Sequence, residues 1–309
     1  MTFKEFLEKK DEFLTSLEVE KNVTHHTLRA YNCDLNQFIQ FWQTIQNDSK
    51  EEIALLRTIE RFFVHLYHKK ISKSSIARKI SCFRSLENYL QAQSIELNLN
   101  IQRPKIDKKL PVFLTIDEML HLLDNVGQEE LPSKFPHRDK AILELLYATG
   151  IRCSELVSIK IKNINTKEKT IRILGKGRQE RLALFGSKAY EKIMNYLIYE
   201  RTKAETTDEY LFLNHRYQKL TTRSVQRIIQ MFRQFLKIDK PISPHKIRHS
   251  FATHLIHQGV DVRVVQELLG HKDIGSTERY THISTERLTE IFDTIHPIHN
   301  IIKRKNETE

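Results

Sequence analysis

The chain has 309 residues and is 39% hydrophobic, which is enough to bury one large core or two ordinary ones. Its 50 Lys and Arg residues outnumber 39 Asp and Glu residues, and the formal charge of +11 attracts polyanions, so nucleic acid leads the classes of partner. Charges interrupt the first ten residues, so we expect no signal peptide, and no apolar run is long enough to span a bilayer. Three widely separated cysteines fit a reducing cytoplasm and argue against a disulfide framework.

Three amphipathic helices are predicted in the first hundred residues, and together they would form a small bundle. Their apolar stripes occupy residues 28–42, 53–66 and 76–90. The opposite side of the third helix carries hydroxyls and cations but no acid, including Arg78, Lys79 and Arg84. Such a face fits a DNA groove, although an ordinary solvated helix surface has a similar composition.

A domain boundary is predicted between Asn98 and Pro111, where helical periodicity is lost. This stretch carries two prolines and has four cations against one acid, as expected of an extended basic linker. Thr115 and Glu118 then have the spacing of a capping box, in which each side chain satisfies a free amide at a helix start. A second domain is therefore expected to begin near residue 115.

The second domain is predicted to be mainly helical with a small sheet. A strongly apolar helix ends at Gly150, whose freedom at positive φ suits a helix C-terminus. Two β-type runs, 170–174 and 181–185, flank a glycine-rich stretch and predict a hairpin with Lys176 at its turn. Further helical sequence begins near Ser187, near Thr222 and at Ser243.

His245 and Arg248 are the first candidate anion ligands. Ser243 is a predicted N-cap followed by proline, and on the helix that begins there the two side chains share one face. The positive end of the helix also favours an anion. Taken alone, the pair has a structural alternative, in which Arg248 pairs with an acid and His245 caps a loop.

Arg152, Glu155 and Lys176 are candidates of the same kind. Glu155 can orient Arg152 through a charge-assisted hydrogen bond, although a purely structural pair would look the same. Lys176 could protonate a leaving sugar oxygen, or be an ordinary turn lysine.

Tyr280 is the candidate nucleophile. Cleaving a phosphodiester without a metal requires fixed positive donors around the phosphate oxygens, and nearby cations favour the phenolate of a group whose pKa is about 10. His271 follows a predicted helix end at Gly270 and can project into the same cleft. His245 and His249 have the spacing of a zinc pair, but cations surround them and no carboxylate stands between them, so no metal ligand set is predicted.

The combination of motifs resembles the tyrosine recombinases of the phage-integrase type, and among them the bacterial Xer group. The motifs occupy residues 145–157, 175–178, 245–254, 265–271 and 280–282. Segments 27–38 and 75–85 resemble the family's amino-terminal DNA-clamping helices, so the resemblance covers almost the whole chain.

The resemblance implies two domains that form a C-shaped DNA clamp. Their predicted bounds are a SAM-like core-binding helical domain at 1–103, a linker at 104–111, a catalytic domain at 112–297 and a flexible tail at 298–309. A helix at about 285–296 carries an apolar stripe and would be exchanged with a neighbouring subunit in a cyclic tetramer.

The resemblance also implies a role for each candidate. Arg152, His245, Arg248 and His271 would activate the phosphate, Lys176 would be the general acid, Tyr280 the nucleophile and Glu155 a supporting acid. A 3′-phosphotyrosyl link would store the bond energy, so neither a metal nor another cofactor is needed.

Two further features follow from the resemblance. Arg223 and Gln226 match a helix that enters the major groove, where such side chains read guanine and adenine edges. The sequence departs from the family pattern at Gly275, where serine is common, and at Arg279, where an apolar residue is common. These departures affect the loop that carries the tyrosine.

The sequence therefore predicts a cytoplasmic, site-specific recombinase that acts on double-stranded DNA with inverted half-sites. The favoured role is chromosome dimer resolution at a dif-like site, in a homo- or heterotetramer with a second tyrosine recombinase. An external DNA motor protein is a further candidate partner. The alternatives are an integrase or invertase of a mobile element, a type IB topoisomerase, a non-cleaving DNA-binding accessory protein, and a basic structural or membrane-surface protein.

Overall fold

The structure is a computed structural model. It describes residues 1–20, 23–47, 54–106, 113–124, 127, 130–175, 180–202 and 209–270. This part of the chain is mainly helical, with a small three-stranded sheet, and the chain divides between residues 110 and 111 into two compact units. None of the helices in these ranges has the length and apolar character needed to cross a membrane.

The described part of the first unit contains four helices. They are α1 (Phe3–Val19), α2 (His25–Asn47), α3 (Leu55–His68) and α4 (Lys73–Ala92). The three predicted amphipathic helices are α2, α3 and α4, and α1 precedes them. Thr2 and Glu5 start α1 with a reciprocal capping box. The apolar faces meet in an aromatic core, where Phe38 contacts Phe6, Phe62 and Phe83 with ring centroids 5.1 to 5.4 Å apart.

The predicted exposed basic face of α4 is wrong at Lys79. Only 4% of the Lys79 side chain is exposed, and its Nζ donates to Asp34 Oδ1 at 2.6 Å and to Gln37 Oε1 at 2.7 Å. Asp34 is fully buried on α2 and also accepts from Arg78. The Lys79 ammonium is therefore committed to α2. Arg78 and Arg84 are exposed on α4, and their contact with DNA stays a prediction.

Lys79→Met is expected to lower the free energy of unfolding of the first unit by about 1.5–3 kcal/mol, the value of a hydrogen bond to a charged group. The loss is limited because Arg78 still contacts the Asp34 carboxylate. Trp42 is the only tryptophan and is fully buried in this unit, so its fluorescence during urea denaturation gives the measurement. Arg61→Met, at an exposed position on α3, is the control and should change stability by no more than about 0.5 kcal/mol. Equal effects of the two substitutions would contradict the buried pair.

The second unit is organised around one buried helix. Its helices are α5 (Ile116–Asp124), α6 (Pro136–Thr149), α7 (Cys153–Leu156), α8 (Ser187–Tyr196), α9 (Thr222–Phe235), α10 (Pro244–His257) and α11 (Val262–Leu269). A π-helical turn, Leu197–Arg201, continues α8. Every residue of α6 from Arg138 to Thr149 is buried, as expected of a helix that is covered on all sides. Helices α8 and α10 pack against it.

The predicted hairpin is confirmed, and it is part of a three-stranded antiparallel sheet. The strands are β1 (Ile164–Asn165), β2 (Thr170–Leu174) and β3 (Glu180–Leu184), in that order. In the register of β2 and β3, Ile171 pairs with Ala183 and Ile173 with Arg181. The turn between the two strands, which includes Lys176, lies outside the described residues.

The predicted helix ends of this unit are also confirmed. Thr115 and Glu118 form the capping box, with N–H to side-chain oxygen distances of 2.7 and 3.2 Å. The Ser243 hydroxyl accepts from the Lys246 amide at 3.3 Å at the start of α10. Gly150 has φ +57° at the end of α6. Because these signals are local in the sequence, they could be recognised without the fold.

Candidate active site

Arg152 and Glu155 form the first part of the site, immediately after α6. Arg152 Nη1 donates to Glu155 Oε1 at 2.9 Å, and the Arg152 backbone N–H donates to Oε2 at 2.8 Å. The expected hydrogen bond between Glu155 and Arg152 is present, and its role in orienting Arg152 toward a phosphate stays a prediction. Because 37% of the Arg152 side chain is exposed, against 5% for Glu155, the arginine can still reach a ligand.

Arg248 comes from α10 and lies in the same part of the unit. Its Nη1 donates to the Gly150 carbonyl at 2.6 Å, and its Nη2 donates to the Leu269 carbonyl at 2.7 Å. The alternative in which Arg248 pairs with an acid does not describe this geometry. The Arg248 guanidinium instead joins the last turn of α11 to the residue that ends α6, two positions before Arg152.

Arg181, on β3, is a third arginine in this cluster, and the sequence did not single it out. Its Nη2 donates to Glu155 Oε2 at 2.8 Å, and its Nη1 donates to the Leu268 carbonyl at 3.0 Å. The alternation of β3 places Arg181 opposite Ile173 and therefore inward. The strand alternation was the sequence signal for this inward position, but a charged residue in a short strand is ordinarily expected to face solvent.

The site carries an excess of positive charge. Three guanidiniums, from Arg152, Arg181 and Arg248, surround the single carboxylate of Glu155. Burial, and then repulsion by Arg152, lower the pKa of Arg248 to about 10, which leaves it charged at neutral pH. Binding an anion would offset this repulsion, so the cluster is suited to hold a phosphate.

His245 also lies on α10, three residues before Arg248 and near the helix N-terminus. Its side chain is exposed, so it is accessible to a ligand. Arg223 and Gln226 are exposed on α9, where their spacing of three residues puts them on one face.

Helix α10 is fixed to the beginning of the unit through Leu114. His254 Nε2 donates to the Leu114 carbonyl at 2.7 Å, because a carbonyl only accepts, and Nδ1 accepts from Tyr147 Oη at 2.8 Å. Burial lowers the pKa of His254, which favours this neutral form. The Ser250 hydroxyl accepts from the Leu114 amide at 2.8 Å. These bonds hold the helix that carries His245 and Arg248.

Three predicted site residues, Lys176, His271 and Tyr280, lie outside the described residues. So do the predicted exchange helix and the departures at Gly275 and Arg279. The described chain reaches Gly175 before the hairpin turn and Gly270 before His271. Gly270 has φ +65° and ends α11, as the sequence predicts.

Metal binding and a cysteine nucleophile have little support among the described residues. These residues contain no cluster of three or more side chains suited to hold a metal ion. Cys153 adjoins Arg152, but burial raises the pKa of its thiol to about 11, so little thiolate is present at neutral pH. Among the described groups, the arrangement therefore supports anion binding by arginines and histidine.

Comparison with known families and proteins identifies the chain. Residues 112–287 match the Phage integrase family, and residues 11–94 match the Phage integrase, N-terminal SAM-like domain. Tyrosine recombinase XerC of Thermodesulfovibrio yellowstonii is 36% identical over 294 residues, covering 93% of this chain and 95% of that protein. Tyrosine recombinase XerD of Halalkalibacterium halodurans is 35% identical over 291 residues, covering 93% and 96%. XerC of Staphylococcus aureus strain N315 is 38% identical, covering 96% and 98%.

Solved structures show the same fold. XerH site-specific recombinase bound to difH substrate superposes with a TM-score of 0.67 at 23% identity, covering 86% of this chain and 79% of that chain. A lambda integrase (75–356) dimer bound to a COC′ core site gives 0.63 at 17% identity, covering 88% and 94%. The predicted fold class, a SAM-like helical domain followed by a mainly helical catalytic domain, is confirmed. The chain belongs to the phage integrase family and is a tyrosine-type site-specific recombinase of the Xer group.

Proposed function

We propose that the protein cuts and rejoins double-stranded DNA at inverted half-sites through Tyr280. The Tyr280 oxygen attacks as the phenolate that nearby cations favour, having lost its proton to solvent. It forms a bond to phosphorus as the bond to the 5′ oxygen breaks, and Lys176 protonates that leaving oxygen. The products are a 3′-phosphotyrosine and a free 5′-hydroxyl, and attack by a partner strand's 5′-hydroxyl reverses the step. No metal or other cofactor takes part in this scheme.

The phosphate is activated by Arg152, His245, Arg248 and His271 in this proposal, and Glu155 orients Arg152. The observation that carries it is the gathering of Arg152, Glu155 and Arg248 from distant parts of the sequence into one cluster with excess positive charge. Fixed cations of this kind stabilise charge on nonbridging oxygens in the transition state without reorganising during the reaction.

The proposed biological role is resolution of chromosome dimers at a dif-like site in the cytoplasm. It is supported by the relatives named XerC and XerD, each of which aligns with more than nine-tenths of the chain. In this proposal the protein acts in a tetramer with a second tyrosine recombinase, joined through an exchange helix at about 285–296. A DNA motor protein is a further proposed partner. The second candidate role is integration or inversion of a mobile element, which the family name itself favours.

Base contacts are proposed for Arg223 and Gln226, and backbone contacts for Arg78 and Arg84. All four side chains are exposed, and the first two share one face of α9. An arginine and a glutamine on one helix face can read guanine and adenine in a major groove. The exposed cations of α4 would add salt-sensitive affinity without sequence preference.

Tyr280→Phe is expected to abolish covalent complex formation while leaving DNA binding within about twofold, since only a hydroxyl is removed. The probe is a nicked duplex carrying the chromosomal segment that the protein protects in footprinting, and the readout is protein–DNA adduct that resists denaturation. Tyr199→Phe is the matched control, because Tyr199 is exposed within the π-helical turn and its substitution should leave adduct formation unchanged. Tight binding by the wild-type protein with no adduct would favour the non-cleaving accessory protein.

The protected segment also separates the two biological roles. For chromosome dimer resolution we expect a single palindromic pair of half-sites with a short centre, close to the chromosomal region where replication ends. Protection confined to the ends of a mobile element would instead support the integrase role. Protection without sequence preference at moderate salt would support a basic structural protein.

A further inference from the structure

We propose that Arg181 is a positioning residue for phosphodiester cleavage, which holds Arg152 and the C-terminal end of α11 in a single arrangement. This inference rests on the proposed function of the same site. It concerns a residue that acts through its neighbours, since both of its described hydrogen bonds go to protein groups.

The first contact of Arg181 determines how Glu155 uses its two oxygens. Oε2 accepts from Arg181 Nη2 at 2.8 Å and from the Arg152 amide at 2.8 Å. Oε1 is left to accept from Arg152 Nη1 at 2.9 Å. Removing Arg181 would free Oε2 to compete for the Arg152 guanidinium, and the orientation of that guanidinium would no longer be fixed.

The second contact reaches the segment that leads to His271. Arg181 Nη1 donates to the Leu268 carbonyl at 3.0 Å. A Cβ on Gly270 would lie 2.6 Å from Arg181 Nε and 2.8 Å from Cδ, so the arginine packs directly on the Gly270 backbone. The residue thus ties β3, the strand that follows Lys176, to the helix end that precedes His271.

The shape of the side chain is essential to this role. The two acceptors belong to α7 and to α11, and a planar guanidinium reaches both with different nitrogens. Only 16% of the Arg181 side chain is exposed, and its buried Nε has no hydrogen-bond partner within the described chain. A lysine keeps the charge but brings one ammonium, which cannot reproduce both contacts in the same geometry.

A merely structural role for Arg181 makes a different prediction. If Arg181 only stabilised the packing of β3 against α11, its substitution would reduce the amount of folded protein but not the rate of cleavage per folded molecule. A role through Arg152 instead slows the chemical step, because misplacing a catalytic group by about 1 Å can cost about 100-fold in rate. How the cleavage rate of the variants depends on the charge of the scissile phosphate then distinguishes the two roles.

The test is single-turnover cleavage by the full-length protein at saturating concentration, using Arg181→Met and Arg181→Lys. Three nicked duplexes of the protected sequence are compared: an ordinary scissile phosphate, a neutral methylphosphonate, and a phosphate with sulfur as the 5′ leaving atom. Arg172→Met is the control, because Arg172 is an exposed arginine on β2 of the same hairpin. Rates are divided by the fraction of folded, DNA-binding protein.

We expect both Arg181 variants to cleave the ordinary phosphate about 10- to 100-fold more slowly than wild type, and Arg172→Met to match wild type. The difference in rate between these variants and wild type should be smaller on the methylphosphonate, because a neutral group needs less stabilisation by the Arg152 charge. The difference should stay the same with the sulfur leaving atom.

Three results would overturn the proposal: an unchanged rate per folded molecule, an equal deficit on all three duplexes, or rescue by sulfur, which would place the effect on the general acid. Absence of wild-type adduct would instead refute the proposed function.

Discussion

Arg248→Met should slow strand cleavage about 100- to 1,000-fold, the effect of removing one preorganised donor from a transition-state site. The loss is expected to be large because Arg248 has two roles in the proposed site: it would supply charge to the phosphate, and it holds two backbone segments together. Its guanidinium joins the Gly150 carbonyl, two residues before Arg152, to the Leu269 carbonyl, two residues before His271 in the sequence. Both carbonyls would lose a charged donor. DNA affinity should fall less than the cleavage rate, because the other cations proposed to contact the DNA backbone would remain.

Arg248→Lys is expected to restore little of this rate. Lysine keeps the positive charge, but one ammonium on a flexible stem cannot replace the two directed N–H groups that reach separate carbonyls. Single-turnover adduct formation on the nicked duplex gives the rate, and a filter-binding titration gives the affinity. A lysine variant within about threefold of wild type would show that charge alone suffices and would contradict the geometric role.

Arg233→Met is the matched control for the loss of carbonyl contacts. Arg233, at the end of α9, also donates to two backbone carbonyls, those of Ile238 and Asp239, at 3.1 and 2.9 Å. Its removal costs hydrogen bonds of the same kind outside the arginine cluster. Stability should therefore fall in both variants, while the cleavage rate per folded molecule should fall only in Arg248→Met.

The sequence could predict what is encoded locally. The apolar stripes of α2 to α4, the capping box at Thr115 and the N-cap at Ser243 depend on residues within a few positions of each other. The glycine at the end of α6 belongs to the same class. All were visible in the chain, and all are present in the structure.

What the sequence could not predict depends on contacts between distant segments. The composition of α4 did not indicate that Lys79 would be buried in an ion pair with Asp34 on α2. The strand pattern likewise did not indicate that Arg181 would contact Glu155. The partners of Arg248 are backbone carbonyls, which carry no sequence signature at all. Arg152, Glu155, His245 and Arg248 were candidates from the residues themselves, the family resemblance gave each of them a role, and the structure adds how three of them are held.

Gly150→Ala should destabilise the second unit by about 2–5 kcal/mol. Gly150 has φ +57°, and a residue with a side chain pays about 1–2 kcal/mol to adopt that conformation. Its Cβ would also lie 2.4 Å from Phe251 Cδ1 and 2.8 Å from Leu269 Cδ2, and such overpacking costs about 1–3 kcal/mol more. Because Phe251 is fully buried, it has little room to move away.

The same substitution should reduce cleavage beyond its effect on the folded fraction. The Gly150 carbonyl accepts from Arg248, and Leu269, which the new methyl would displace, provides the other carbonyl that Arg248 binds. The methyl group therefore pushes on both anchors of one guanidinium, two residues before Arg152. Hydrogen exchange of the α6 and α10 amides measures the stability, and single-turnover adduct formation measures the rate.

Gly259→Ala separates backbone strain from crowding. Gly259 has φ +86°, so alanine is strained there too, but nothing lies within 4 Å of the position its Cβ would take. This variant should lose only the strain, about 1–2 kcal/mol, and should retain the wild-type cleavage rate per folded molecule. If Gly150→Ala were no more harmful than Gly259→Ala, the packing of Phe251 and Leu269 on Gly150 would not be what holds Arg248 in place. Both substitutions change the backbone preference in the same way. A larger loss of stability and of cleavage rate in Gly150→Ala than in Gly259→Ala would therefore come from the contact of the new methyl group with Phe251 and Leu269.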